Sequence, residues 1–324
     1  MRSPFSGACL VAGTAILLGG CASLSRSNPH TSAEPAYDSG MNRPARLALV
    51  LSAGTMRGFA HVGVLRELKA QGIEPDLIVG SSAGAIVGAL VASGASEAEL
   101  DAAVDAAASA SFAELRSTRR GLLGGGGIHQ FVDQHAKHDL IERFPVRFAA
   151  VAVEAERSCL QIFNTGDPGK AAQASSTVPV LLTPPRIEGR QYLDGALISP
   201  LPVHVARALG AQRVIAVDVT FEPAERSFFD LVEGFSRTNL VTRWALAINE
   251  GMEADYVIKP WLMAEPRIGM ATRRELVEAG ADAVRRGMPA IRAALQAEPK
   301  AKGGSVHPAL AQMSCPEQRL SVSP

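Results

Sequence analysis

A serine hydroxyl becomes an effective nucleophile when a sharp turn between a strand and a helix presents it, and Gly80-Ser81-Ser82-Ala83-Gly84 has the composition of such a turn. The apolar run Asp76-Leu77-Ile78-Val79 precedes it, and the small-residue stretch Ala85-Ile86-Val87-Gly88-Ala89-Leu90-Val91-Ala92 follows. A GxSxG elbow strains the backbone at its serine, so its neighbours must be nearly free of side chains, as Gly80 and Gly84 are. The hydroxyl then stands at a helix N-terminus, where unpaired N–H groups favour developing negative charge. Ser82 is therefore the candidate nucleophile. The same residues also suit an ordinary glycine-rich turn, and two further segments decide between the readings.

Upstream, Leu51-Ser52-Ala53-Gly54-Thr55-Met56-Arg57-Gly58 lies between an expected strand and an expected helix. A small-residue loop there exposes backbone N–H donors, which acyl transfer needs to hold the oxyanion of its tetrahedral intermediate. Gly54, Thr55 and Met56 are the candidate donors. Arg57 suits three roles: fixing this loop, meeting a lipid phosphate, or a structural ion pair. A phosphate cradle is the rival reading, but the loop has neither GxxxxGK[ST] nor GxGxxG.

Downstream stands Tyr192-Leu193-Asp194-Gly195-Ala196. An isolated Asp-Gly most often marks a plain turn. Here it follows an apolar approach and precedes Leu201-Pro202-Val203, which places it at the end of a core strand. A Ser-Asp-His triad in α/β-hydrolase order needs a histidine after the acid. Only His204, at the start of a helical run, and His307, in a polar tail, qualify. His61 reads as a packed helix residue, and His129, His135 and His138 flank or occupy a helix without a second cluster to complete a metal site. The expected chemistry is a Ser82–Asp194 dyad with Asp194 as proton acceptor, no metal and no cofactor. An aspartate is a poor base at neutral pH, so its site must be partly desolvated.

In their order, these three segments resemble the patatin-like phospholipases. That family carries a GGGxRG-type oxyanion loop, a GxSxG elbow and an Asp-Gly-Gly/Ala segment. The resemblance extends to Gly58-Phe59-Ala60-His61-Val62-Gly63-Val64-Leu65, Ala174-Ser175-Ser176-Thr177-Val178-Pro179, Ser199-Pro200-Leu201-Pro202-Val203 and Ala254-Asp255-Tyr256-Val257-Ile258, and covers about Arg46 to Leu295. It implies a three-layer α/β fold and a lipid acyl hydrolase of phospholipase A, lysophospholipase or esterase type. Such a carboxylic ester hydrolase works through an acyl-enzyme on Ser82, with Gly58, Gly80, Gly84 and Gly195 supporting the motifs. The chain departs from the pattern at Ala53 and Thr55, which replace the first and third loop glycines. If the third position requires positive φ, a β-branched threonine resists it.

The elements that must position these groups alternate along the chain. Strands are expected over Arg46–Leu51, Leu77–Gly80, Arg147–Val153, Leu160–Phe163 and Arg213–Val217. Helices are expected over Gly58–Gln71, Ala83–Ser93, Glu97–Ala108, Ile128–Ala136, Pro202–Leu209 and Arg273–Leu295. Such alternation implies an α/β fold with a mainly parallel central sheet, helices on both faces, and a site beyond the carboxyl ends of the strands. Gly121-Leu122-Leu123-Gly124-Gly125-Gly126-Gly127 suits either a lid over an acyl pocket or a plain connection. Phe228 to Ile248 reads as an amphipathic helix, buried in preference to touching lipid.

The 324 residues carry 32 basic and 32 acidic side chains, a balance without the excess of positive charge that nucleic-acid binding favours. The N-terminus reads as a signal peptide over 1–20, with a short basic start and an apolar run too short to span a bilayer. It ends Leu18-Gly19-Gly20-Cys21, which resembles a bacterial lipobox. Cys21 is then the lipidated first residue, residues 21–44 form a flexible tether, 45–297 the catalytic domain and 298–324 a loose tail. Ala22 after the cysteine favours the periplasmic face of the outer membrane, by analogy with lipoprotein sorting. A bridge between Cys159 and Cys315 is not expected. The partners expected are a phospholipid or other lipid ester and a membrane surface. Two rivals stand beside this reading: a soluble-ester hydrolase or acyltransferase on the same fold, and a catalytically weak lipoprotein that binds lipid or a partner.

Overall fold

The computed structural model describes residues 45–107, 124–220, 235–262, 270–300 and 306–316, with backbone alone at 235–239 and 270–271. The signal segment, Cys21, the tether, Gly121 to Leu123 and Phe228 to Val232 lie outside the described residues. Strands β1 (Ala45–Leu51), β2 (Leu77–Ser81), β3 (Arg147–Glu154), β7 (Ala211–Val217) and β8 (Tyr256–Ile258) run parallel in the spatial order β3-β2-β1-β7-β8. Strands β4 (Cys159–Phe163), β5 (Arg186–Ile187) and β6 (Arg190–Asp194) join antiparallel.

Alternation along each parallel strand divides the core between two faces. On β1, Leu47, Leu49 and Leu51 enter one apolar cluster while Ala48 and Val50 enter the other. The first cluster is completed by α1 (Phe59–Ala70), α2 (Ala83–Ala92), α3 (Glu97–Ala106), α4 (Gly126–His135), α5 (Pro168–Ser175) and α8 (Met270–Gln296). The second is completed by α6 (Val203–Ala208), α7 (Phe235–Gly251) and α9 (Pro308–Met313). The fold is thus α/β, with a mainly parallel central sheet and helices on both faces, as the alternating sequence implies.

The register of β3 decides where the site forms. β4 pairs with Ala150 to Glu154, so it occupies one edge of β3. β2 pairs with Arg147 to Val151 and β6 with Ala152 to Glu154. Both share β3 residues with β4, so both must lie along the opposite edge. They run toward each other there and meet end to end: Ser81 stands opposite Val151, and Asp194 opposite Ala152.

Helix α5, of eight residues, and strands β5 and β8, of two and three residues, were not among the expected elements. The larger correction concerns the C-terminus. Residues 306–316, expected in a loose tail, dock on β4: Leu310 is buried, Cys315 N–H donates to the Leu160 carbonyl at 3.0 Å, and Leu160 bridges to Ser314. Cys159 and Cys315 form a disulfide, with Cα atoms 5.0 Å apart. The bridge was not expected because Cys159 reads as part of a strand and Cys315 as part of a loose tail, and nothing in the sequence requires them to meet; they lie 156 residues apart. Only the free edge of β4 brings the tail to Cys159.

Two buried titratable groups act on stability in opposite senses. Glu250 on α7 accepts from the Ser199 hydroxyl and from Leu201 N–H at 3.0 Å, beneath the segment that follows Asp194. Burial pushes its carboxyl up to about 8. His61 on α1 donates from Nε2 to the Ser52 carbonyl at 2.9 Å, and burial pushes its imidazole down to about 4.

Two predictions follow from these features. Replacing Cys159 and Cys315 by alanine should lower Tm by several degrees, since closing a long loop contributes about 2–4 kcal/mol; an unchanged melt would show that the bridge does not hold the tail. Between pH 4.5 and 8 the unfolded chain has released the Glu250 proton that the native state keeps, so this group's contribution falls as pH rises. The His61 contribution is instead lost as pH falls from 6.5 toward 4. Glu250→Gln should therefore flatten the loss of Tm between pH 6.5 and 8, and a slope equal to that of the unsubstituted protein would refute the assignment.

Candidate active site

Ser82 caps α2 with φ 53° and ψ −120°, a conformation that non-glycine residues adopt at a cost on the order of 1–3 kcal/mol. Close packing imposes it. A Cβ at Gly84 would sit 2.2 Å from the Leu51 carbonyl oxygen, and one at Gly80 would sit 2.4 Å from that of Gly84. The helix can therefore start directly against β1. Ser82 N–H donates to Ser175 Oγ on α5 at 2.9 Å, which fastens the elbow from the other side.

Ser82 Oγ donates to Asp194 Oδ2 at 3.1 Å. The other carboxylate oxygen, Oδ1, accepts from Ala196 N–H at 2.9 Å, and Asp194 N–H donates to the Thr177 carbonyl. Asp194 is fully buried and Ser82 nearly so. Gly195 lets the chain cross β3, since a Cβ there would lie 2.2 Å from the Val151 carbonyl oxygen. Arg243 on α7 brings Nη2 to 3.6 Å from the same Oδ2. It supplies the countercharge that a buried carboxylate requires. Arg243 escaped the sequence reading because only the folding of α7 across the sheet, 49 positions on, sets it there.

The loop after β1 forms a single 3-10 turn over Thr55–Gly58. Thr55 adopts φ 51°, the left-handed conformation that its side chain disfavours. The positive φ expected to require glycine is thus present with threonine in place. Gly54 packs against Val219, which would meet a Cβ at 2.5 Å, and Gly58 packs against Ala83, which would meet one at 2.6 Å. The second contact holds the turn against the elbow. Thr55 and Met56 open the turn, so their N–H groups have no carbonyl one turn earlier to bond. Arg57 is buried and donates from Nη1 to the Thr220 carbonyl at 3.1 Å and from Nη2 to that of Leu262 at 3.2 Å. These two bonds tie the turn to the chain after β7 and after β8.

A cavity of about 260 Å³ opens beside Ser82. The turn contributes Thr55, Met56 and Gly58 to its wall, and α2 contributes Ala83, Ile86, Val87 and Leu90. Ser82, Ile86 and Leu90 lie one turn apart along α2, so the wall extends about 12 Å from the nucleophile. Val104, Phe131 and Leu182 also line it, and Thr55, Ser82 and Ser176 are the polar residues of a mainly apolar wall.

Among the described residues, no histidine reaches Asp194. His204 donates from Nδ1 to Glu253 at 3.0 Å and stacks on His307 with ring centroids 4.1 Å apart; burial pushes its imidazole down. His307 accepts Ala309 N–H at Nδ1, so its Nε2 carries the proton that faces Glu253. His129 bridges Asp133 and Asp167, at 3.0 and 3.1 Å, with Lys170 on Asp167. These two groups have metal-ligand atoms close together, but each is occupied by internal ion pairs and hydrogen bonds.

Known proteins share this arrangement of segments. The model of the patatin-like phospholipase family matches residues 49–207, from β1 through Ser82 and Asp194 to α6. The chain is 30% identical over 176 residues to an NTE family protein of Mycobacterium tuberculosis, covering 54% of this chain and 49% of that protein. It is 31% identical over 182 residues to patatin-like phospholipase domain-containing protein 6 of Homo sapiens, covering 53% of this chain and 13% of that protein. The match thus spans about half the length of the mycobacterial relative. Among solved structures, VipD from Legionella pneumophila aligns with a TM-score of 0.43 at 11% identity, over 76% of this chain and 67% of that one. Residues 49–207 are thus similar to the patatin-like phospholipase domain.

Proposed function

We propose that this protein is a serine lipid acyl hydrolase. The observation that carries the reading is the direct bond from Ser82 Oγ to Asp194 Oδ2 at the head of an apolar cavity. The acyl chain of an ester occupies that cavity, and the carbonyl carbon comes to Ser82. Asp194 accepts the hydroxyl proton as Oγ attacks. The carbonyl oxygen becomes an oxyanion facing the N–H groups of Gly54, Thr55 and Met56, and the first free N–H of α2 aids them. Collapse expels the alcohol, which takes the proton from Asp194. Water then attacks the acyl-enzyme, Asp194 again accepts a proton, and the fatty acid leaves as Ser82 recovers its own. Arg243 holds the carboxylate in register, and the cycle needs no metal.

The placement of the enzyme follows from its N-terminus. Cys21 carries the lipid, and residues 22–44 tether the domain to the periplasmic face of a bacterial outer membrane. Such an anchor keeps the domain beside ester substrates held in that bilayer.

Two experiments test these readings. On a water-soluble p-nitrophenyl ester, Ser82→Ala and Asp194→Asn should each lower kcat/KM by several orders of magnitude with the melt retained, whereas His204→Ala should keep most turnover. Substantial turnover by a folded Ser82→Ala protein would sink the dyad, and the reverse pattern at Asp194 and His204 would show a triad. For the anchor, mass spectrometry of the mature N-terminus should find a diacylglyceryl-modified Cys21, and Cys21→Ser should abolish partition into detergent. An unmodified Cys21 would leave a secreted hydrolase without a lipid tether.

A further inference from the structure

Two large apolar side chains stand in water on segments that adjoin the wall of the cavity. Trp261 is 90% exposed and Val180 is 61% exposed. Single exposed apolar residues are common on protein surfaces, but tryptophan is among the side chains with most to gain by burial. The mouth itself is marked by Thr55, which lines the cavity and is exposed, and by the half-buried Val178 and Leu181.

Both residues stand on segments that hydrogen bonds hold in place. Trp261 lies between the buried Pro260 and Leu262, and the Leu262 carbonyl accepts from Arg57 of the oxyanion turn. The indole therefore projects outward from a segment fastened to the catalytic loop. Val180 sits at the tip of a turn closed by Leu182 N–H donating to the Val178 carbonyl at 2.9 Å. Its φ of 71° is a conformation that a β-branched residue resists. The fold thus spends backbone strain to hold an apolar side chain in solvent, which points to a function at that position.

We propose that Trp261 and Val180 insert into the interface of a phospholipid bilayer and seat the mouth of the cavity on it. The inference rests on the lipid hydrolase reading and adds the surface that meets the substrate. An indole favours the headgroup level of a bilayer, where its ring is sheltered and its N–H remains solvated. Two separate side chains are too small a contact for a stable dimer, which buries at least about 1,000 Å². A bilayer accepts them without a matching surface. An ester carried in the bilayer then has a short apolar path to Ser82, bordered by Val178 and Leu181.

The test uses the full chain with Cys21→Ser, so that no acyl anchor contributes, and sucrose-loaded phosphatidylcholine vesicles. Trp261→Ser should weaken co-sedimentation by at least about tenfold, and Trp261→Ser/Val180→Ser should weaken it further. Tryptophan fluorescence should be quenched by brominated lipid in the Cys21→Ser protein and much less after Trp261→Ser. Release of fatty acid from vesicles should fall with binding, while turnover of p-nitrophenyl butyrate stays within twofold. Unchanged vesicle binding in the double variant would overturn the proposal. Equal losses on vesicles and on the soluble ester would also overturn it, by making Trp261 a support of the oxyanion turn. A dimer in sedimentation that Trp261→Ser dissolves would assign the face to a second copy instead. Failure of the unsubstituted protein to cleave the soluble ester would sink the hydrolase reading alone, because vesicle binding is measured without turnover.

Discussion

The site depends on the way two strands share one edge of a third. β2 and β6 approach from opposite directions along β3, and their ends meet at Val151 and Ala152. The backbone of β3 therefore sets the separation of Ser82 and Asp194, with no loop flexibility between them. Hydrogen bonds of a sheet ladder are short and mutually supporting, so a group placed by register is placed to within a fraction of an ångström. The approach also needs the close packing seen at Gly80, Gly84 and Gly195, where a Cβ would strike a neighbouring carbonyl. Small residues in these motifs are a consequence of how tightly the strand ends converge.

A second set of contacts brings the oxyanion turn to the same place. Gly58 against Ala83 fixes the turn on the elbow, while Arg57 ties it to the chain beyond β7 and β8. These contacts come from segments far apart in sequence, and together they hold Thr55 in a conformation costing about 1–2 kcal/mol. The donor is a backbone N–H, so what the site requires is the shape of the turn. Glycine is one way to reach that shape, and enforcement by neighbours is another.

Helix α7 secures the segment around Asp194 from one face of the sheet. Arg243 reaches Asp194, and two turns later Glu250 holds Ser199 and Leu201, the segment into which Asp194 leads. One helix thus fixes both the carboxylate and the strand exit behind it. The C-terminal segment meets the free edge of β4 at Leu160 and is fastened beside it by the disulfide.

The layer architecture and the segments that converge on the candidate site were legible in the sequence. Both are written locally: GxSxG, the loop before Gly58 and Asp194-Gly195 each occupy a few consecutive residues, and each parallel strand is a short apolar run. The expected strands over Arg46–Leu51, Leu77–Gly80 and Arg147–Val153 differ from the observed ones by a residue at one end. Tertiary structure alone decided the partners that arrive from a distance. Arg243, Glu250 and the Cys159–Cys315 bridge depend on which helix or tail crosses which strand, and no local pattern records that crossing. The small helix α5 and the strands β5 and β8 fall in the same class, since segments this short form only because a neighbouring strand edge or apolar face pairs with them.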